Sequence, residues 1–259
     1  MHTKKEKLET FGRLLEIMDQ LREKCPWDRE QTFDSIRNLT IEETYELAEA
    51  IISNDLSEIK KELGDILLHI VFYARIASET NDFDIKDIID SLCEKLIFRH
   101  PHVFGDVDVK GSSEQVKHNW EELKQKEEDR TVLSGVPKAL PALIKANRVQ
   151  EKVRAVGFDW DEREQIWDKV REELEELKQE VKSDNKKEIE QEFGDLLFSV
   201  VNAARLYGVD PETALEKTNR KFIRRFNYLE RNTIKKGRSL KDMNLDEMNE
   251  IWEEAKKYD

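Results

Sequence analysis

Acidic residues recur in this sequence at a spacing that would gather carboxylates on helices. Each half of the chain has an EExxE pattern, followed after fifteen residues by an ExxD pattern. Because an α-helix turns about 100° per residue, residues three or four apart share one face. Two adjacent antiparallel helices would therefore bring four or five carboxylates together in each half. The two sets are Glu42, Glu43, Glu46, Glu62 and Asp65, and Glu172, Glu173, Glu176, Glu192 and Asp195.

Such a group of carboxylates predicts a site for a divalent cation. Apolar residues surround Glu62, Asp65, Glu192 and Asp195 in nearly every direction, which predicts buried helices with these acids in their first turns. Buried like charges are costly unless they are paired, protonated or bound to a metal ion. Oxygen ligands favour Mg²⁺, with Mn²⁺ as the alternative. A bound Mg²⁺ could polarise a phosphoryl oxygen and activate a water, so we expect metal-dependent chemistry on phosphates or phosphoanhydrides.

Simpler explanations of the acidic residues stay open at this stage. Glutamate-rich helices often present a solvated face, and acids in a first turn favour the helix dipole. Thr40 with Glu43 also fits a capping box, in which the glutamate binds a backbone N–H. Capping does not explain Glu173, because its helix is expected to begin near Asp161. His69 has Ser199 as its counterpart and is interpreted as a core residue or as a residue behind the site.

The elements that must position these residues are helices in two similar halves. Apolar residues recur at three- and four-residue spacing, and the few glycines (9) and prolines (5) argue against an all-β fold. The ExxD segments of the two halves match at a shift of 130 residues, which marks an internal repeat. We therefore predict an all-α fold made of a tandem repeat of two helical-bundle domains, residues 1–130 and 131–259, each with four to five helices. Short polar connections, 53–55 and 183–185, predict antiparallel neighbouring helices.

Composition excludes several classes of function. The net charge of −13 argues against nucleic acid and against an anionic membrane surface as partners. The two cysteines, Cys25 and Cys93, form neither a disulfide framework nor a zinc motif. The first residues show no apolar signal-peptide region, so a cytoplasmic location is expected.

Basic and aromatic residues near the end of the chain are candidates for contact with a phosphate-bearing ligand. Lys221 and Arg225 lie four residues apart and could hold phosphate oxygens, or could form surface salt bridges instead. Trp252 and Lys256 share a helix face, where the indole could stack on a base or could belong to the core. The residues alone identify neither the base, the sugar nor the bond that is cleaved.

Taken in order, the motifs resemble the MazG family of all-α nucleoside triphosphate pyrophosphohydrolases. The resemblance covers nearly the whole chain, including the tandem repeat. Besides the acidic patterns it rests on Cys25-Pro-Trp-Asp28, Arg99-His-Pro-His-Val-Phe104 and Gly157-Phe-Asp-Trp160. It implies a Mg²⁺-dependent enzyme that hydrolyses nucleoside triphosphates to monophosphate and pyrophosphate with broad base specificity. It also implies a homodimer.

The resemblance assigns roles to residues of this chain. The second half would carry the main activity, with Glu172, Glu173, Glu176, Glu192 and Asp195 catalytic, and the last four of these holding the metal ion. Glu43, Glu46, Glu62 and Asp65 would form a second metal site of weak or no activity. Lys221, Arg225, Trp252 and Lys256 would contact the nucleotide. One departure is Glu188, where the family can carry a lysine, although Lys187 lies beside it.

Two rival hypotheses remain. The same clusters could bind a metal–nucleotide complex in a regulatory protein with little or no turnover. Alternatively, the chain could be a helical interaction scaffold whose acids are merely solvated, in which case Mg²⁺ should not change its thermal stability.

Overall fold

A computed structural model describes residues 1–107, 111, 116, 119–120, 123, 131–235 and 237–258. The described residues are helical or irregular and contain no strand, so the predicted all-α fold is confirmed. The chain divides into two compact units, Met1–Val116 and Lys117–Asp259. The domain boundary near residue 130 stays a prediction, because the charged run 124–130 lies outside the described residues. In the part of the chain that is described, no helix is long and apolar enough to cross a membrane.

The first unit is built on an antiparallel helix pair, α3 and α4. Its core centres on Met18, Ile36, Val71 and Phe72, where α1 and α3 pack against α4. The described helices are α1 (Lys4–Lys24), α2 (Pro26–Glu30), α3 (Phe33–Ile52), α4 (Leu56–Ser78), α5 (Ile85–Arg99) and α6 (Pro101–Phe104).

The second unit repeats this pair as α8 and α9, which pack along their length. Helix α7 packs on α9 and α10, and α10 packs on α11. The described helices are α7 (Ala142–Arg154), α8 (Ile166–Ser183), α9 (Lys186–Leu206), α10 (Pro211–Lys235) and α11 (Leu245–Ala255), with 3₁₀ turns at Arg163–Gln165, Leu240–Asp242 and Lys256–Tyr258.

Both helix pairs are joined by the same kind of tight turn, as the sequence predicts. In the first unit Asn54 has a φ of 54°, and the Asp55 side chain accepts hydrogen bonds from the backbone N–H groups of Ser57 and Glu58. In the second unit Asp184 also has a φ of 54°, and Asn185 caps α9. Asparagine and aspartate tolerate this left-handed conformation better than other non-glycine residues. The turns reverse the chain within a few residues and make each pair antiparallel.

The acidic residues lie deeper in their helices than the sequence predicts. Helix α4 begins at Leu56 and α9 at Lys186, so Glu62 and Glu192 lie in the second turn of each helix. The favourable effect of a helix N-terminus falls off within the first turn. The helix dipole therefore does not account for these acids.

The capping explanation for Glu43 is also wrong. Helix α3 begins at Phe33 and is capped by Thr32 together with Ser35. The Thr40 hydroxyl instead donates to the Ile36 carbonyl oxygen inside the helix and hydrogen-bonds the Tyr73 hydroxyl at 2.8 Å. Glu43 is thus a mid-helix residue whose side chain is available for a site.

The prediction that α4 and α9 are buried on all sides is wrong. Leu63, Ile70, Phe193 and Leu197 are exposed, with 60% of Leu197 and 51% of Phe193 accessible to solvent. Among the described residues, helix α9 packs on α7, α8 and α10, and these helices leave its remaining face uncovered. The apolar residues of a helix therefore indicate every face that packs against something, including a face that the described part of this chain does not cover.

Candidate metal centre and nucleotide site

In the second unit, α8 and α9 bring three predicted metal ligands together. Carboxylate oxygens of Glu173, Glu176 and Glu192 all lie within 4.8 Å of one another. Asp195 lies one turn beyond Glu192 on α9, and its charge acts on Glu192. The antiparallel pair thus brings together three of the four predicted metal ligands of this half, without Asp195, and their role as ligands stays a prediction.

The surroundings of Glu192 disfavour the ionised form of its carboxyl group. Partial burial raises the pKa of Glu192, and the neighbouring charges of Glu176, Asp195 and Glu173 raise it further. Loss of water and nearby like charges both disfavour the ionised form of a carboxyl group. A cation in this group would relieve both effects.

Lys169 already supplies one positive charge to this cluster. Its ammonium nitrogen lies 2.6 Å from an oxygen of Glu173, whose exposed fraction is only 6%, and 2.8 Å from an oxygen of Glu172. Hydrogen bonds to Glu172 and Glu173 raise the pKa of Lys169 above its ordinary value. The sequence reasoning missed this residue, although its spacing of four from Glu173 is a signal for an ion pair.

Glu172 is not part of the carboxylate group in this structure. Its side chain is exposed on α8 and pairs with Lys169. The geometry therefore separates Glu172 from Glu173, Glu176 and Glu192, although all of them are sequence candidates for catalysis.

The first unit contains an equivalent group. Oxygens of Glu43, Glu62 and Asp65 lie within 4.8 Å of one another, while Glu46 acts on Glu43 through its charge. Partial burial raises the pKa of Glu43, and contact with Glu62 and the charge of Asp65 raise it further. Glu42 is exposed and, with Glu46 and Glu62, lines a groove beside the group.

Glu62 provides the strongest sign that the first group is built for a ligand. Only 2% of the residue is exposed. One of its oxygens accepts a hydrogen bond from Lys61 at 2.8 Å, and the other is buried without a hydrogen-bond partner. An unsatisfied buried carboxylate oxygen is costly, so its presence points to an ion or donor that completes the site. The oxygen-only donor set fits a hard divalent cation.

The predicted nucleotide-contact residues gather on α10, α11 and the turn that follows. The Arg225 guanidinium lies 5.6 Å from the centre of the Trp252 ring, and Phe222 packs on the same ring with centroids 5.0 Å apart. Lys221 is exposed one turn before Arg225, and Lys256 pairs with Glu253. The structure thus brings Arg225 of α10 against the Trp252 ring of α11 and places Lys221 one turn before Arg225 on α10.

A comparison with known families identifies the two helix pairs. The model of the MazG nucleotide pyrophosphohydrolase domain matches twice, at residues 31–104 and 162–229. The chain belongs to the MazG family. The two matched segments contain the two carboxylate groups, one in each unit.

Full-length similarity to other MazG proteins agrees with this assignment. The chain is 45% identical over 251 residues to the nucleoside triphosphate pyrophosphohydrolase/pyrophosphatase MazG of Thermotoga maritima, covering 95% of each chain. It is 42% identical over 258 residues to the nucleoside triphosphate pyrophosphohydrolase of Escherichia coli K12, covering 96% of this chain and 98% of the relative. The similarity therefore spans both units.

Proposed function

We propose that this chain is a Mg²⁺-dependent nucleoside triphosphate pyrophosphohydrolase with broad base specificity, with Mn²⁺ as an alternative ion. The reaction converts a nucleoside triphosphate and water to a nucleoside monophosphate and pyrophosphate. The observation that carries the proposal is the convergence of Glu173, Glu176 and Glu192 within a segment that matches the MazG domain. The names of the full-length relatives support the same activity.

The carboxylates of the second unit would hold the metal ion and accept the proton of the attacking water. Glu173, Glu176, Glu192 and Asp195 supply the oxygen ligands. A bound Mg²⁺ supplies Lewis-acid chemistry at a phosphoryl oxygen and lowers the pKa of a nearby water. Water oxygen forms a bond to the α-phosphorus while the α–β phosphoanhydride bond breaks. A carboxylate of this cluster that is not bound to the ion would accept the proton that the water loses.

Residues of α10 and α11 would orient the nucleotide. Lys221 and Arg225 carry positive charge toward phosphate oxygens, and Lys256 adds a third cation. The Trp252 face can stack on a base. Because every base has a flat aromatic face, stacking supports broad base specificity.

The carboxylate group of the first unit would form a second metal site. Glu43, Glu62 and Asp65 would supply the clustered oxygens, and Glu46 lines the adjoining groove together with Glu62. The buried oxygen of Glu62 without a partner supports this proposal.

The chain would act as a homodimer in the cytoplasm and would not bind nucleic acid. The exposed apolar faces of α4 and α9 support association, because large uncovered apolar surfaces mark protein contacts. The free cysteines Cys25 and Cys93 are compatible with a reducing compartment. The net charge of −13 disfavours a nucleic-acid partner.

Pyrophosphate release from a panel of nucleoside triphosphates with Mg²⁺ tests the activity. We expect Glu173→Gln to reduce kcat by at least about a hundredfold, as loss of a group that stabilises the transition state does. Glu175→Gln is the matched control, since Glu175 lies on the same helix but pairs with Lys178 in solvent. Equal rates for wild type and Glu173→Gln would refute the assignment, and tight nucleotide binding without product would favour the regulatory alternative.

A further inference from the structure

The two carboxylate groups are assembled from different members of the repeated acidic patterns. In the first unit, Glu43 meets both acids of the ExxD pattern, Glu62 and Asp65, with oxygens of all three within 4.8 Å of one another. In the second unit, the corresponding group holds Glu192 of that pattern but not Asp195. The first unit therefore has both ExxD carboxylates in place for an ion, whereas Asp195 of the second unit would have to approach its group.

The buried acid of the first group keeps one oxygen open. Glu62 is 2% exposed, and its Oε1 atom accepts a hydrogen bond from Lys61 at 2.8 Å, while its Oε2 atom is buried without a hydrogen-bond partner. A buried carboxylate oxygen that lacks a partner is costly, and a cation that binds this oxygen offsets the cost without breaking an existing hydrogen bond. Glu62 therefore favours a cation even when no phosphate-bearing ligand accompanies the ion.

The buried acid of the second group is more firmly paired with a lysine. An oxygen of Glu173 lies 2.6 Å from the ammonium nitrogen of Lys169, which also donates a hydrogen bond to Glu172 at 2.8 Å. Lys61 of the first unit is the more exposed lysine, with a side-chain accessibility of 58% against 37% for Lys169. Its ammonium group also has exposed Glu58 as a second partner at 3.7 Å. Because exposed ion pairs contribute little, an ion should displace Lys61 more easily than Lys169.

We propose that the first unit is a resident cation site, which holds a divalent ion in the absence of nucleotide and fills at a lower ion concentration than the second unit. The ion ties α3 to α4, because Glu43 lies on one helix and Glu62 and Asp65 lie on the other. The role of the first unit is then structural, whereas the ion of the second unit serves the reaction. This inference rests on the second metal site of the proposed function and adds to it a role and the order in which the two sites fill.

Titration of the nucleotide-free full chain with Mn²⁺ tests the order of filling, since the EPR signal of free Mn²⁺ measures how much of the ion is bound. We expect one ion per chain to bind at least about tenfold more tightly than the next, a difference of about 1.4 kcal/mol. Glu62→Gln should abolish the tight binding. Glu192→Gln is the matched variant at the shift of 130 residues and should retain it.

Thermal unfolding tests the structural role. Glu62→Gln removes a buried charge with an unpartnered oxygen, so the ion-free variant should have a Tm equal to or above that of the ion-free wild type. The increase in Tm that low concentrations of Mg²⁺ give to the wild type should disappear in Glu62→Gln and in a second variant, Asp65→Asn. Glu58→Gln is the control, since Glu58 lies on the same helix in solvent, and it should keep this increase.

Several results would overturn the inference. They are loss of the tight ion in Glu192→Gln, its survival in Glu62→Gln, two ions of equal affinity, or no Mn²⁺ binding without nucleotide. A lower Tm of ion-free Glu62→Gln together with an unchanged Mg²⁺ response would also contradict it, because that result describes an acid that only supports packing. Pyrophosphate release is not measured in these titrations and is tested separately by Glu173→Gln, so that either proposal can fail alone.

Discussion

The ion pair between Lys169 and Glu173 predicts that an internal ammonium group competes with the metal ion. A divalent cation at Glu173, Glu176 and Glu192 would compete with Lys169, whose ammonium nitrogen lies 2.6 Å from an oxygen of Glu173. We therefore expect Lys169→Met to destabilise the cation-free chain and, at the same time, to strengthen Mg²⁺ binding.

The magnitude follows from the burial of the two partners. Breaking a fully buried ion pair costs about 3–5 kcal/mol, whereas exposed pairs contribute about 1 kcal/mol or less. Glu173 is nearly buried but Lys169 is over a third exposed, with a side-chain accessibility of 37%, so solvent screens the pair. An intermediate loss of about 1–3 kcal/mol in the free energy of unfolding is expected. Because about 1.4 kcal/mol corresponds to a factor of ten, this range corresponds to a fall of about 5- to 150-fold in the Mg²⁺ half-saturation point.

Thermal unfolding with increasing Mg²⁺ measures both effects. Without Mg²⁺, each lost kcal/mol should lower the Tm by about 2–4 °C in a unit of this size. Lys178→Met is the control, since it removes the same charge from the same helix at the exposed pair with Glu175. If Lys169→Met and Lys178→Met have the same Mg²⁺ half-saturation point, the ammonium group does not compete and the reasoning is refuted.

Three further predictions concern pH, the fold and assembly. Because the pKa of Glu192 is raised in the folded chain, the free energy of unfolding without metal should fall as the pH rises above the ordinary pKa of 4.5 and through the raised value. The increase in Tm that Mg²⁺ produces should grow over the same pH range. An increase in Tm that becomes smaller as the pH rises would contradict this prediction. Arg205→Met removes the bidentate partner of Asp159 at 2.5 and 3.0 Å and leaves it the looser pair with Arg154 at 3.5 Å. The free energy of unfolding in urea titrations should fall by about 1–3 kcal/mol, against little change for exposed Arg171→Met. Leu197→Glu should convert a dimer to monomers in sedimentation velocity, whereas a dimer that survives would show that this face of α9 is not the interface.

The sequence predicts the helix pairs well, because the spacing of apolar residues along a helix and the residue types in a turn act through neighbours in the sequence. The repeat at a shift of 130 residues places Glu192 where Glu62 lies, and the turns at Asn54 and Asp184 have the predicted chemistry. Which glutamate faces the neighbouring helix is harder to predict. Glu172 and Glu173 are adjacent and identical, and only the packing of α8 on α9 separates the exposed residue from the buried one.

The ion pair of Lys169 and the exposed faces of α4 and α9 depend on three-dimensional neighbours that the spacing of residues in the sequence does not specify. The role of Lys169 was missed because a lysine among glutamates on a helix usually indicates a solvated ion pair. The complete burial expected for α4 and α9 was wrong because hydrophobicity does not reveal whether the covering surface belongs to the same chain. The roles of Lys221, Arg225, Trp252 and Lys256 stay predictions, although Arg225 and Trp252 are in contact.

Helix α9 carries both Asp195 on its acidic edge and Leu197 on its open apolar edge, only two residues apart. A helix is stiff over so short a distance, so a contact that fixes the position of Leu197 also fixes the position of Asp195. If a second copy of the chain packs against Leu197, it also holds Glu192 and Asp195 in a fixed position relative to α8. Specific activity should then decline when the protein is diluted below the concentration at which copies separate, before any helix melts.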